Sequence, residues 1–140
     1  MEFNEKKAQI IDEFSQLSDC FDRLSCLIAH AAQLPPPPDW LLQDGNLVSG
    51  CQSKVWIKGT LREGRVQINA YSDTLLIRGL LALLKALFDG ETAACVLQEN
   101  LAFLNASGLQ SLLPNSRRQG LQATLDQLHE DLRNALQVTV

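Results

Sequence analysis

The chain predicts an α+β fold, a small antiparallel β unit packed with helices, on three observations. Apolar residues recur at helical spacing near both ends of the chain, alternate with polar ones between Lys54 and Tyr71, and dominate one central leucine-rich helix nearly all round.

A length of 140 residues suits one domain, 1–140, and lets roughly two thirds of the unfolded chain's surface be buried. With 46% hydrophobic and 20% charged residues, a packed core is expected without help from a metal or disulfide. Twelve Lys and Arg against sixteen Asp and Glu leave a net charge of −4, which argues against a surface built to bind nucleic acid. The opening MEFNEKKAQIIDEF is charged and amphipathic, and no stretch reaches the roughly 18 consecutive apolar residues of a membrane span. A cytoplasmic protein is expected, with no membrane partner. The four cysteines, Cys20, Cys26, Cys51 and Cys95, form no C-x-x-C pair, so free thiols are expected rather than metal ligands or disulfides.

The first helix is predicted over residues 4–18, with Ala8, Ile11, Phe14 and Leu17 on its apolar side. Ser18-Asp19 can cap a second, carrying Phe21, Leu24, Leu27, Ile28 and Ala31 as its buried stripe, so that the two form an αα-hairpin. The run Pro35-Pro36-Pro37-Pro38 cannot continue a helix and is read as an extended spacer leading into Trp40. Val55 and Ile57, then Val66, Ile68 and Ala70, define one face of two antiparallel strands joined at Arg62-Glu63-Gly64. Trp56 is read as a packing residue. Ser72 or Asp73 then caps the central helix, which stops at Asp89-Gly90. Short helical pieces follow over residues 92–99 and 100–106, ended by Ser107-Gly108. In the last helix Ser116 and Gln119 fit a capping box, and Leu121, Leu125, Leu128, Leu132 and Leu136 form the stripe.

Cys51 stands apart from the other thiols. Flanked by Gly50 on one side and Gln52 and Ser53 on the other, it is sterically open and close to polar groups that can hydrogen-bond a charged sulfur. Its alternative is a small side chain filling a strand end, and residue types alone leave both open. Cys20, Cys26 and Cys95 lie in helical patterns and are read as packing residues. A hydrolase would want a base, but His30 and His129 sit among polar or small neighbours and are read as solvated. Phosphate loops, paired catalytic carboxylates and cofactor fingerprints are absent.

The run Val48-Ser49-Gly50-Cys51-Gln52-Ser53-Lys54-Val55-Trp56, preceded by Leu34-Pro35 and followed by Ser72-Asp73, Arg78-Gly79-Leu80 and Ser116-Arg117-Arg118-Gln119-Gly120-Leu121, resembles the SufE family of sulfur acceptors. The resemblance spans residues 10–135. It implies an α+β fold similar to the IscU scaffold proteins. It also implies that Cys51 accepts a sulfane sulfur from a pyridoxal-phosphate-dependent cysteine desulfurase (SufS- or CsdA-like), stimulates that partner and passes the sulfur to iron–sulfur cluster assembly. The pyridoxal phosphate would belong to the partner, and the chain itself would carry no cofactor and no metal, acting as a covalent carrier rather than an enzyme. Position by position, Gly50, Gln52 and Ser53 match the acceptor loop, and Asp73 and Arg117 match polar positions near the loop and the partner surface. Asp73 can instead be a helix cap, and Arg117 a first-turn residue paired with a carboxylate. Cys20-Phe21-Asp22-Arg23-Leu24 replaces a family pattern rich in Trp and Tyr, and the proline run and Arg118 are further departures. They bear on which desulfurase is the partner. The other readings are an IscU-like scaffold and a sulfur relay to another thiolation pathway.

Overall fold

The computed structural model describes residues 2–49 and 53–138, and within these the expected α+β architecture is present. Helix α1 (Phe3–Ser15) buries only Phe14 fully, with Phe3, Ile10 and Ile11 at the margin of the core. It is shorter than the predicted 4–18, because the amides of Gln16 and Leu17 turn back onto Asp12 and Phe14. Ala8 is exposed and Leu17 lies beyond the helix. Helix α2 (Cys20–Ala31) is capped as expected, with the Phe21 amide donating to Asp19 Oδ1 at 2.8 Å. Phe21, however, is 71% exposed and leaves the predicted stripe. With 3.6 residues per turn it stands about 100° around the helix from the direction shared by Leu27 and Ala31, which face the core.

The two helices do not lie along each other as the predicted αα-hairpin. Helix α2 runs along α3 (Leu75–Phe88), whereas α1 packs on α5 (Ala102–Ser107) and α3. Helix α3 is buried nearly all round, as its composition requires, with Leu75 at its start exposed. It ends where expected, at Asp89 and a left-handed Gly90. At Gly79 an added Cβ would sit 2.4 Å from the Leu27 carbonyl oxygen, so the glycine sets the close approach of α2 and α3.

Strands β1 (Val55–Arg62) and β2 (Arg65–Ser72) pair antiparallel with Arg62 opposite Arg65, and Glu63 and Gly64 both take positive φ, the geometry of a two-residue hairpin turn. Val55, Ile57, Val66, Ile68 and Ala70 face inward. The proline run carries no regular structure and lies across a narrow cleft from Ile68, Asn69, Ala70 and Lys85, with buried Leu41 closing its end. Both margins of the hairpin are occupied. On the β2 side the Val66 amide donates to Glu91 O at 2.8 Å, the Gly90 amide to Val66 O at 2.9 Å and the Ile68 amide to Asp89 Oδ1 at 2.8 Å. On the β1 side the Val48 amide reaches Val55 O at 2.8 Å.

Helix α4 (Ala93–Leu97) is capped by Thr92, and α5 ends at left-handed Gly108. Helix α6 (Asn115–Val138) crosses β1, burying Leu121, Leu125, Leu128 and Leu132 and leaving Leu136 44% exposed. Because the helix starts at Asn115, Ser116 falls inside its first turn and does not cap it. His129 is a second correction. It is 8% exposed, with Nε2 2.9 Å from Val96 O, and joins α6 to α4 rather than meeting solvent.

Asp131 interrupts the apolar stripe and is itself buried, accepting the Gly59 amide of β1 at 3.0 Å. Asp131→Ala is expected to cost about 1–3 kcal/mol by stranding that buried donor, while Asp131→Asn keeps an acceptor oxygen and loses less. Urea denaturation of the two variants checks the order; equal losses would contradict it.

Candidate functional site

Gly50, Cys51 and Gln52 lie outside the described residues. The described chain resumes at Ser53, which is 9% exposed, and the surroundings of Ser53 define the site. Arg117, in the first turn of α6, donates through Nη1 to Ser53 Oγ. On the other side of Ser53, Thr74 Oγ1 lies 2.6 Å from Ser53 Oγ and 3.2 Å from Asp73 Oδ1, so the single threonine proton is shared between them. Asp73 Oδ1 also accepts the Lys54 amide at 3.1 Å, and the Asp73 amide donates to Lys54 O at 3.3 Å. Ser72 Oγ donates to the same carbonyl at 2.8 Å and accepts the Thr74 amide. Neither Ser72 nor Asp73 is the N-cap of α3, which starts after Thr74. Asp73 is instead an exposed carboxylate that fixes where β1 begins.

The structure therefore brings together Ser53, Asp73 and Arg117, which lie far apart in sequence. A guanidinium, a hydroxyl pair and a carboxylate hydrogen-bond the chain at Ser53 and Lys54, just after the Cys51 block. Sequence reading missed Thr74, which links the two halves of this network. Its signal was the uninterrupted polar run Ser72-Asp73-Thr74 after a strand, weighed only for capping. Beneath Ser53 is a small pocket of about 10 Å³, walled by Val55, Ile77 and Leu121 with Arg117 and Thr124 at its edge. Arg78 braces the same corner, donating from Nε to Ser72 O at 2.8 Å and lying 4.9 Å over the Tyr71 ring. Trp56 is half-buried in β1, bridged to Leu47.

The other three cysteines are free thiols, as expected, in unlike settings. Cys20 is exposed, 3.7 Å from Ser111 Oγ, and so is not the packing residue its helical pattern predicted; it stands at the first residue of α2, where the core has not begun. Cys26 is half-buried and donates to Glu13 Oε1 at 3.4 Å. Burial, then the hydrogen bond to Glu13 and its charge, push the Cys26 thiol up to about 11. Burial first, then Glu91 and Glu99, raise Cys95, with Lys6 and Lys7 acting in the opposite sense. His30 is half-buried, its Nε2 2.5 Å from Glu13 Oε1, rather than solvated. Both histidines are thus engaged away from the Ser53 network, which contains no imidazole.

With this geometry in view, comparison with known proteins is specific. The profile of the SufE family, described as an Fe-S metabolism associated domain, matches residues 8–132. The chain belongs to the SufE family. The sulfur acceptor protein CsdE of Escherichia coli is 37% identical over 112 residues, covering 79% of this chain and 76% of that protein. A SufE-like protein of Synechocystis is 32% identical over 117 residues, covering 81% of this chain and 71% of that protein. A solution structure of a hypothetical protein from Thermus thermophilus superposes with a TM-score of 0.81 at 26% identity, covering 94% of this chain and 96% of the other. Membership associates the chain with Fe–S metabolism. Among the described residues no helix is long and apolar enough to cross a membrane.

Proposed function

We propose that the protein is a persulfide carrier, acting as one unit in the cytoplasm, that takes sulfur from a cysteine desulfurase onto Cys51. The Cys51 thiolate attacks the terminal sulfur of the persulfide on the partner's cysteine. A new S–S bond forms to Cys51, the partner's S–S bond breaks, and the partner's cysteine leaves as a thiolate. There is no net oxidation or reduction. Release of the partner's thiolate readies it for another cycle, which is how the carrier would stimulate the desulfurase. Pyridoxal phosphate stays with that partner. A second exchange passes the sulfur on to iron–sulfur cluster assembly.

The observation that carries this reading is the Gly50-Cys51-Gln52-Ser53 block within a family match to residues 8–132, with Ser53 held by Arg117. Arg117 places its cation on Ser53, the second residue along the chain after Cys51. Asp73 and Arg117, flanking Ser53, are the groups the desulfurase would meet beside Gly50 and Gln52.

The test is to incubate the protein with a cysteine desulfurase and cysteine, then measure intact mass and map the modified peptide. One added sulfur on Cys51 and faster alanine release by the desulfurase are expected. No added sulfur, or sulfur placed on Cys20, Cys26 or Cys95 instead, would overturn the proposal.

A further inference from the structure

Away from the Ser53 network, a second group of chemically active side chains converges where α1 meets α2. Cys26 and His30 are four residues apart on α2 and share a face; Glu13, near the end of α1, reaches across to both. Glu13 Oε1 is 2.5 Å from His30 Nε2 and 3.4 Å from Cys26 Sγ, and the three ligand atoms lie within 4.8 Å of one another. The Phe14 ring packs beside the imidazole, its centroid 5.7 Å from that of His30.

We propose that Glu13, Cys26 and His30 form a zinc site that clasps α1 to α2. A thiol, an imidazole and a carboxylate are the ligand types zinc takes, and the sulfur and nitrogen together disfavour magnesium and calcium. Zinc bonds of about 2.0–2.3 Å at tetrahedral angles place ligand atoms about 3.3–3.8 Å apart, so the Cys26–Glu13 spacing already fits and the His30–Glu13 pair opens by about 1 Å. Glu13 and His30 also line a cavity of about 320 Å³ with Lys6, Gln9, Gln33 and Leu83, roomy enough for a water to complete the coordination. On binding, Sγ–Zn, Oε1–Zn and Nε2–Zn bonds form and waters leave the hydrated ion; the thiol proton passes to solvent, His30 binds as the neutral imidazole with its one proton on Nδ1, and no electrons are transferred. A simple His30–Glu13 ion pair needs no sulfur, so the participation of Cys26 separates the two interpretations.

The test titrates cobalt(II) into the full chain carrying Cys51→Ser, which removes the acceptor thiol as a competing ligand. One equivalent is expected to give tetrahedral visible bands and a thiolate-to-cobalt charge-transfer band, both bleached by zinc. Cys26→Ser and His30→Gln should abolish the bands, and Glu13→Gln should weaken affinity at least about tenfold, since even loss of outer-shell partners costs about 10–100-fold. Cys20→Ser and Cys95→Ser should leave the spectrum intact. Cys26→Ser is nearly isosteric, so its circular dichroism should match that of the parent and keep the comparison valid should His30→Gln fail to fold. Zinc should also raise the melting temperature of the parent but not of Cys26→Ser. Survival of the charge-transfer band in Cys26→Ser, its loss in Cys20→Ser or Cys95→Ser, or only octahedral cobalt would overturn the site.

Discussion

Cys51→Ser is expected to take up no sulfur from a desulfurase while folding and melting like the wild type. Serine keeps the size and hydrogen bonding of the side chain but cannot hold a persulfide. The other thiols cannot substitute. With Cys26 pushed up to about 11, roughly one molecule in a thousand carries that thiolate at pH 8, and Cys95 is shifted in the same direction. Since the shift is upward, the thiol form dominates below the raised value and thiolate appears as pH climbs toward it. Background labelling of Cys26 should therefore grow with pH. Cys20 is open to solvent but lies outside the Ser53–Arg117 network, so Cys20→Ser should accept sulfur normally. Mass spectrometry of the three proteins after reaction decides. A Cys51→Ser protein that still gains sulfur at neutral pH would contradict the assignment.

Gly79→Ala is expected to destabilise the fold by about 2 kcal/mol, and Gly79→Val by more. Two effects compete. Alanine in a helix interior gains about 1 kcal/mol over glycine in intrinsic propensity. Against that, its Cβ would lie 2.4 Å from the Leu27 carbonyl oxygen and 2.9 Å from Leu27 Cγ, and the first of these is backbone that cannot rotate away. Forcing atoms into so short a contact with backbone costs about 3 kcal/mol, the upper end of the overpacking range, so the overlap outweighs the propensity gain and about 2 kcal/mol of loss remains. A loss of that size is a large part of the roughly 5–15 kcal/mol that holds a domain folded. Gly45, with nothing within 4 Å of an added Cβ, supplies the control: Gly45→Ala should stay within about 0.5 kcal/mol of wild type. Chemical denaturation of the two variants measures the contrast, and a Gly79→Ala protein as stable as Gly45→Ala would refute the packing argument.

The parts of the fold that were legible in the sequence are those whose cause is local. Alternation of Val55, Ile57, Val66 and Ile68 around Glu63-Gly64 defines a hairpin, and the leucines between Leu75 and Leu87 define a buried helix. What escaped depended on residues far along the chain. Phe21 fits a helical stripe until the packing of α2 on α3 decides which side is inward. His129 looks solvated until Val96 is placed beside it. Asp73 passes for a cap until Lys54 is seen to donate to it. In the candidate site, the cysteine block could be read directly because its chemistry is contiguous. The pairing of Ser53 with Arg117 spans 64 residues, and only the family resemblance brought both to attention; Thr74 between them was not foreseen.

The occupied margins of the hairpin have a consequence for how this protein can be recognised. A two-stranded sheet would ordinarily present two rows of backbone groups on which another chain could add a strand, the route to domain exchange and fibre growth. Here Asp89, Gly90 and Glu91 hold Val66 and Ile68 on one side, and Val48 and Asp131 hold Val55 and Gly59 on the other. Strand addition is closed off at these positions. At these positions another chain would meet side chains and loops in place of free backbone groups, so backbone pairing there is not a route by which a partner can recognise the hairpin.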